Sequence, residues 1–117
     1  MIDFEQEVCR KLKYMGMRFS VQTNEALNLY FFHGLKPGGH LEAQLAHDME
    51  RALYNADSAN KQSFWGLAMW IRDCAPEGSH GSYEAVEAWC KNADDRRSRW
   101  ATWYELNNVA EPKDYSF

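Results

Sequence analysis

The chain has 117 residues, of which 45% are hydrophobic, 26% charged and 15% aromatic, and its formal net charge is −4. That length and balance describe one folded globular domain and exclude a disordered chain. Residues 1–60 carry six basic and eight acidic side chains and 61–117 carry seven and nine, so neither half offers a long cationic groove for nucleic acid.

Asp3 and Gln6 form a capping-box pair, and Phe4, Val8, Leu12 and Met15 follow at helical spacing. Gly16 ends this first predicted helix. MRFSVQ, residues 17–22, alternates apolar and polar, but a lone strand has nothing to pair with. It reads as a connection that buries Met17, Phe19 and Val21. Thr23 is expected to cap a second helix, NEALNLYFFH, with Leu27, Tyr30 and Phe31 inward. Gly34 then gives the left-handed stop, Leu35 folds back, and Pro37 forbids continuation. Gly38 and Gly39 turn the chain into a third helix, which runs to about Ala56. Its apolar stripe is Leu41, Leu45, Met49, Leu53 and Ala56, with Glu42, Gln44, Asp48, Glu50 and Arg51 on the other faces.

Asp57 or Ser58 caps a fourth helix ending near Cys74. Phe64, Leu67, Ala68 and Ile71 point inward, Trp65 and Trp70 fall on the flanks, and Gly66 marks a close helix crossing. Pro76 terminates it, and EGSHGS is a tight polar loop. Ser82 caps a fifth helix with Tyr83, Val86, Trp89 and Cys90 on its apolar side. The run from Asp94 either continues this helix or begins a sixth, with Asp95 and Arg99 spaced for an ion pair. Residues 107–117, which include Pro112, read as an irregular tail. The expected fold is therefore all-α, a compact bundle of five or six short helices in a single domain. Phe4, Val8, Leu12, Leu27, Phe31, Leu41, Leu45, Met49, Leu53, Phe64, Leu67, Ile71, Val86 and Trp89 are its predicted core.

Reactive chemistry finds little support. Cys9, Cys74 and Cys90 are odd in number, sit on apolar stripes, and include no CxxC. They predict reduced, inert thiols. His40 and His47 share a predicted helix face but stand about 10 Å apart along it, too far for one ion. His33 and His80 fall in loops, no HExxH or GxSxG occurs, and Asp94 and Asp95 are adjacent and cannot face each other. No enzyme activity, metal or cofactor is expected. No apolar run approaches a membrane span, and MIDFEQEVCRK lacks a signal-peptide core, which predicts a soluble cytoplasmic protein without membrane contact.

Three stretches, HGLKPGGHLEAQLAHDMERA, ADSAN and PEGSHGSYEAVEAW, together resemble a family of small, uncharacterised bacteriophage-encoded proteins. The family pattern is approximately HGxPPGxFLxAxLxNDL, then AD..N, then P, then HGSxExVxxW. The match covers about residues 27–90. His33, Gly34, Pro37, Gly38, Leu41, Ala43, Leu45, Asp48, Ala52, Ala56, Asp57, Asn60, Pro76, Gly81, Ser82 and Trp89 fall on the pattern. Lys36 and the pair Gly39–His40 depart from it. The resemblance implies phage or prophage origin and hence the cytoplasm of a bacterial host. By analogy with other small phage proteins, it suggests action on a host defence complex such as CRISPR machinery.

Three readings of function follow. The first is a non-catalytic protein that binds a host or phage protein complex and inhibits it. Its contact surface would be Arg96, Arg97, Arg99, Trp100, Trp103 and Tyr104, with the acidic face of the third helix. Surplus aromatics on a surface are also compatible with a homodimer. The second is a small-ligand binder, such as a nucleotide-signal sponge. It would use the Gly–Gly helix start with Lys36, Gly38, Gly39, His40, Asp57 and Asn60. The third, less favoured, is a nucleic-acid accessory protein built on the RRSRWATWY mixture of cations and aromatics.

Overall fold

Glycine–proline punctuation and apolar periodicity both point to helices, and every regular element among the described residues is a helix. The computed structural model describes residues 21–56 and 58–107, with side chains for all but 58–63. The predicted first helix, the Asp57 cap and residues 108–117 lie outside the described residues. Six helices follow in order: α1 (Val21–His33), α2 (Gly39–Leu45), α3 (Met49–Asn55), α4 (Ser58–Cys74), α5 (Tyr83–Lys91) and α6 (Ala93–Leu106). The protein is all-α. In these residues α2 packs on α3, α5 and α4, while α6 packs on α5 and α1.

The core is organised around the C-terminal end of α1. Tyr30, Phe31 and Phe32 are consecutive, so they spread around most of the helix circumference, yet all three are buried. A helix can bury three neighbours in a row only where other elements surround its end. Phe31 meets Trp70 of α4 edge-on at 5.5 Å, Trp89 of α5 at 6.5 Å and Trp100 of α6 at 6.3 Å. Phe32 stacks on Trp100 at 4.4 Å. Each such ring pair contributes about 0.5–1.5 kcal/mol beyond its area burial.

The same residues solve a second problem. The last carbonyls of a helix have no partner within it, and burying them unpaired is costly. Here tryptophan indoles satisfy them. Trp89 Nε1 donates to Tyr30 O at 3.1 Å and Trp100 Nε1 to Phe31 O at 2.8 Å, while Trp103 Nε1 donates to Cys74 O at the end of α4. Gly34 closes α1 as predicted, at φ 67°, with Leu35 N donating back to Leu29 O at 3.1 Å.

Several sequence expectations are corrected, and the alternative left open at Asp94 is decided. The third helix is two helices. His47 takes a left-handed conformation at φ 63°, and the Asp48 side chain accepts from Arg51 N to start α3. Aspartate favours a cap over a helix interior, and the periodic leucines masked that local preference. The break rotates Leu53 outward, to 43% exposure, and turns Gln44 fully inward, where its Nε2 donates to Phe64 O at 2.7 Å. Val21, expected to be buried in a connection, begins α1 and is exposed, and Thr23 lies inside α1 and is buried, so it is not the cap. Trp70 is core, not flank. The fifth helix ends at Lys91, and Asn92 begins a sixth by accepting from Asp95 N at 3.0 Å.

Candidate functional site

The C-terminal segment was the predicted contact surface, and the structure places most of it inside. Trp100, Trp103 and Tyr104 are buried on α6, and Arg96 is only 4% exposed. These four side chains are structural, which corrects the reading of them as a partner-binding surface. Arg96 Nη1 donates to Trp89 O at 2.7 Å and to Cys90 O at 3.2 Å, capping the end of α5 with a cation where the helix dipole is negative. Arg99 is half-buried. It pairs with Asp95 at 3.0 Å, as the spacing predicted, and donates to Glu77 O at 3.0 Å. Arg97 alone of the predicted set is fully on the outer face. Arginines 96 and 99 are three apart, so they share a face, and each lies against a glycine. A Cβ on Gly34 would sit 2.4 Å from Arg96 Nη1, and one on Gly78, which has φ +90°, would sit 2.6 Å from Arg99 Nε.

The predicted ligand residues are partly assembled. Gly38, Gly39 and His40 line one open hollow of about 310 Å³ with Gln22, Thr23, Leu41 and Asn55. Two of the predicted side-chain donors are already engaged. His40 is buried and its Nδ1 donates to Ala52 O at 3.0 Å, while Lys36 Nζ lies 3.4 Å from the Glu42 carboxylate. Glu42 occupies the first turn of α2, so the chain supplies its own negative charge at that helix start. Asn60 lies on α4 with its side chain outside the described residues, and Asp57 is outside them altogether.

Two other arrangements emerge only in three dimensions. The first is an apolar groove of about 360 Å³ along α4, lined by Met49, Trp65, Ala68, Met69 and Ile71, with Gln44, His47 and Arg72 also on its wall. Trp65 is 70% exposed and Met69 is partly exposed. Gln44 Oε1 is buried without a hydrogen-bond partner among the described residues. Reading Trp65 as a flanking residue was the available signal, but nothing in the sequence placed Met49 beside it.

The second is the meeting of the α2–α3 turn with the 76–82 turn. Gly81 N donates to Leu45 O at 2.9 Å, and the Tyr30 hydroxyl donates to Ser79 O at 2.6 Å. Burial pushes the Tyr30 phenol well above its ordinary value, which keeps it a neutral donor. His47 Nε2 lies 2.9 Å from His80 Nδ1. Burial, helped by the nearby His47, holds the His80 imidazole below its usual value. Beside them the Tyr83 hydroxyl donates to Asp48 Oδ2 at 2.8 Å and accepts from Arg51 Nη1 at 3.0 Å, so all three groups are committed to one another.

Neither Ser82 nor Cys90 is placed as an activated nucleophile. Ser82 Oγ accepts from Ala85 N at 3.0 Å as the predicted cap. Burial pushes the half-buried Cys90 thiol up, the direction opposite to that of an activated nucleophile. No helix among the described residues is long and apolar enough to cross a membrane. No protein-family model, curated protein or solved structure matches the chain.

Proposed function

We propose that this chain is a non-catalytic, phage-encoded binding protein that acts on a host protein complex by direct contact, as an anti-defence inhibitor. The observation that carries the contact reading is Trp65. A large aromatic stands 70% exposed on α4, beside partly exposed Met69 and an apolar groove. Tryptophan is the residue type most enriched at interface hot spots, and methionine adapts to a partner's shape. A side chain of this size left in water is unfavourable for the isolated protein, and a partner surface offsets that. The resemblance to small phage proteins supplies the suggested origin and the suggested class of target.

The experiment is capture from a bacterial lysate with the wild-type chain and with Trp65→Ala and Met69→Ala in parallel. A bacterial protein complex retained by the wild type and lost by Trp65→Ala, with unfolding temperature unchanged, supports the reading. Equal retention by all three chains would refute the groove as the contact surface.

A second reading, a binder of a small anionic ligand such as a nucleotide signal, is favoured by one observation: Gly38, Gly39 and His40 do share a hollow. An increase in unfolding temperature with a nucleotide, abolished by His40→Ala, would put this reading first. Nucleic-acid binding is less supported, because Arg96 is buried and Arg99 is paired with Asp95. Retention on DNA that falls steeply with salt would restore it.

A further inference from the structure

We propose that His47 and His80 form a binding site for a divalent transition-metal ion of the copper–nickel–zinc class. Their facing nitrogens, His47 Nε2 and His80 Nδ1, are 2.9 Å apart, and the ring centroids are 5.0 Å apart. A hydrogen bond at this distance places a proton on one nitrogen and points the other's lone pair at it. Both in-plane directions therefore converge on one small volume. Metal–imidazole distances of about 2.0–2.1 Å at a tetrahedral angle separate two nitrogens by about 3.3 Å. Parting the nitrogens by a few tenths of an ångström and pivoting each ring by about 35° toward a common point replaces the shared proton with an ion.

The two rings are held in this relation from both sides. His47 sits at φ 63° in a one-residue reversal between α2 and α3. On the other side, Gly81 N is bonded to Leu45 O and Ser79 O to the Tyr30 hydroxyl, which fixes the backbone flanking His80. His47 is exposed and His80 half-buried, so an ion enters from solvent. Asp48 is occupied by Tyr83 and Arg51, and no third His, Cys, Asp or Glu converges on the pair among the described residues. Water therefore fills the remaining positions. Two imidazoles with open positions suit copper, nickel and zinc and not the oxygen-seeking magnesium or calcium. The ion would staple the 76–82 turn to the α2–α3 turn; His47 also stands on the wall of the Trp65 groove, but ion binding is measured with no partner present.

The test uses the untagged full chain, stripped with EDTA and titrated with Ni2+ and Cu2+ by calorimetry. One ion per chain is expected, with copper bound more tightly than nickel. The unfolding temperature should rise with the ion, and affinity should fall toward acid pH, because protons compete with the ion for the ligand nitrogens. Both His80→Gln and His47→Asn should abolish binding; asparagine tolerates the left-handed conformation at position 47. Electron paramagnetic resonance of the copper form should show imidazole nitrogen coupling, and this readout does not depend on how the variants fold. Absence of binding at millimolar ion, unchanged affinity in His80→Gln, or a copper spectrum without nitrogen coupling would each overturn the site.

Discussion

Replacing Gly34 with alanine would put a methyl group where the Arg96 guanidinium now lies. The new Cβ would be 2.4 Å from Nη1, 2.6 Å from Cζ and 3.0 Å from Nη2, on a residue held at φ +67°. The left-handed backbone alone costs alanine about 1–2 kcal/mol. Moving the guanidinium strains its bonds to Trp89 O and Cys90 O, and a hydrogen bond to a charged group contributes about 1.5–3 kcal/mol. Losing one of the two brings the total to about 2.5–5 kcal/mol. That is a large fraction of the roughly 5–15 kcal/mol that holds a domain folded. At this chain length it lowers the unfolding temperature by about 10–20 °C. The assay is urea and thermal unfolding followed by circular dichroism, run as a double-mutant cycle with Arg96→Met. In that background the obstacle is a flexible, uncharged chain, so the cost of Gly34→Ala should fall toward the backbone penalty alone. An effect below about 1 kcal/mol in the wild type, or the same effect in both backgrounds, would refute the argument.

Trp100→Ala removes a buried ring and the indole cap on Phe31 O, and should destabilise by about 3–5 kcal/mol in urea unfolding. Trp65→Ala, at an exposed position, should stay within about 0.5 kcal/mol of wild type in the same assay. His80 has a folded-state pKa below its unfolded value, so the unfolded chain binds more protons in the acid range. Its contribution to stability is therefore full above about pH 6.5 and is lost as pH falls through the depressed value. Unfolding temperature measured across that range should drop toward acid, with a shallower slope in His80→Gln. Asp48→Ala and Ser82→Ala each remove a helix N-cap and should cost about 0.5–2 kcal/mol in chemical denaturation.

The helical class and most helix ends were legible because their signals are local. Gly34, Pro76 and Ser82 act on their immediate neighbours, and each stands where its chemistry predicts. The central break was not legible, because the leucine stripe at 41 and 45 continues in register through Met49 and Leu53. A single aspartate side chain and one left-handed histidine decide the matter. The basic–aromatic run at 96–104 was misread for a different reason. Arginine beside tryptophan has the composition of a contact surface, and composition does not distinguish a cation facing solvent from one that caps a buried helix end. Nor does spacing along one predicted helix reveal that His47 meets His80, since that pairing depends on how two turns dock.

The distribution of tryptophans has a practical consequence. Trp70, Trp89, Trp100 and Trp103 are enclosed, and Trp65 alone is largely hydrated. Their ultraviolet emission therefore divides into a blue-shifted component from the interior and a red-shifted one from a single surface indole, which dissolved iodide should quench selectively. Occupation of the α4 groove would move only the second component, and denaturation would move the first. The unlabelled chain can thus distinguish loss of a partner from loss of its own fold in one cuvette.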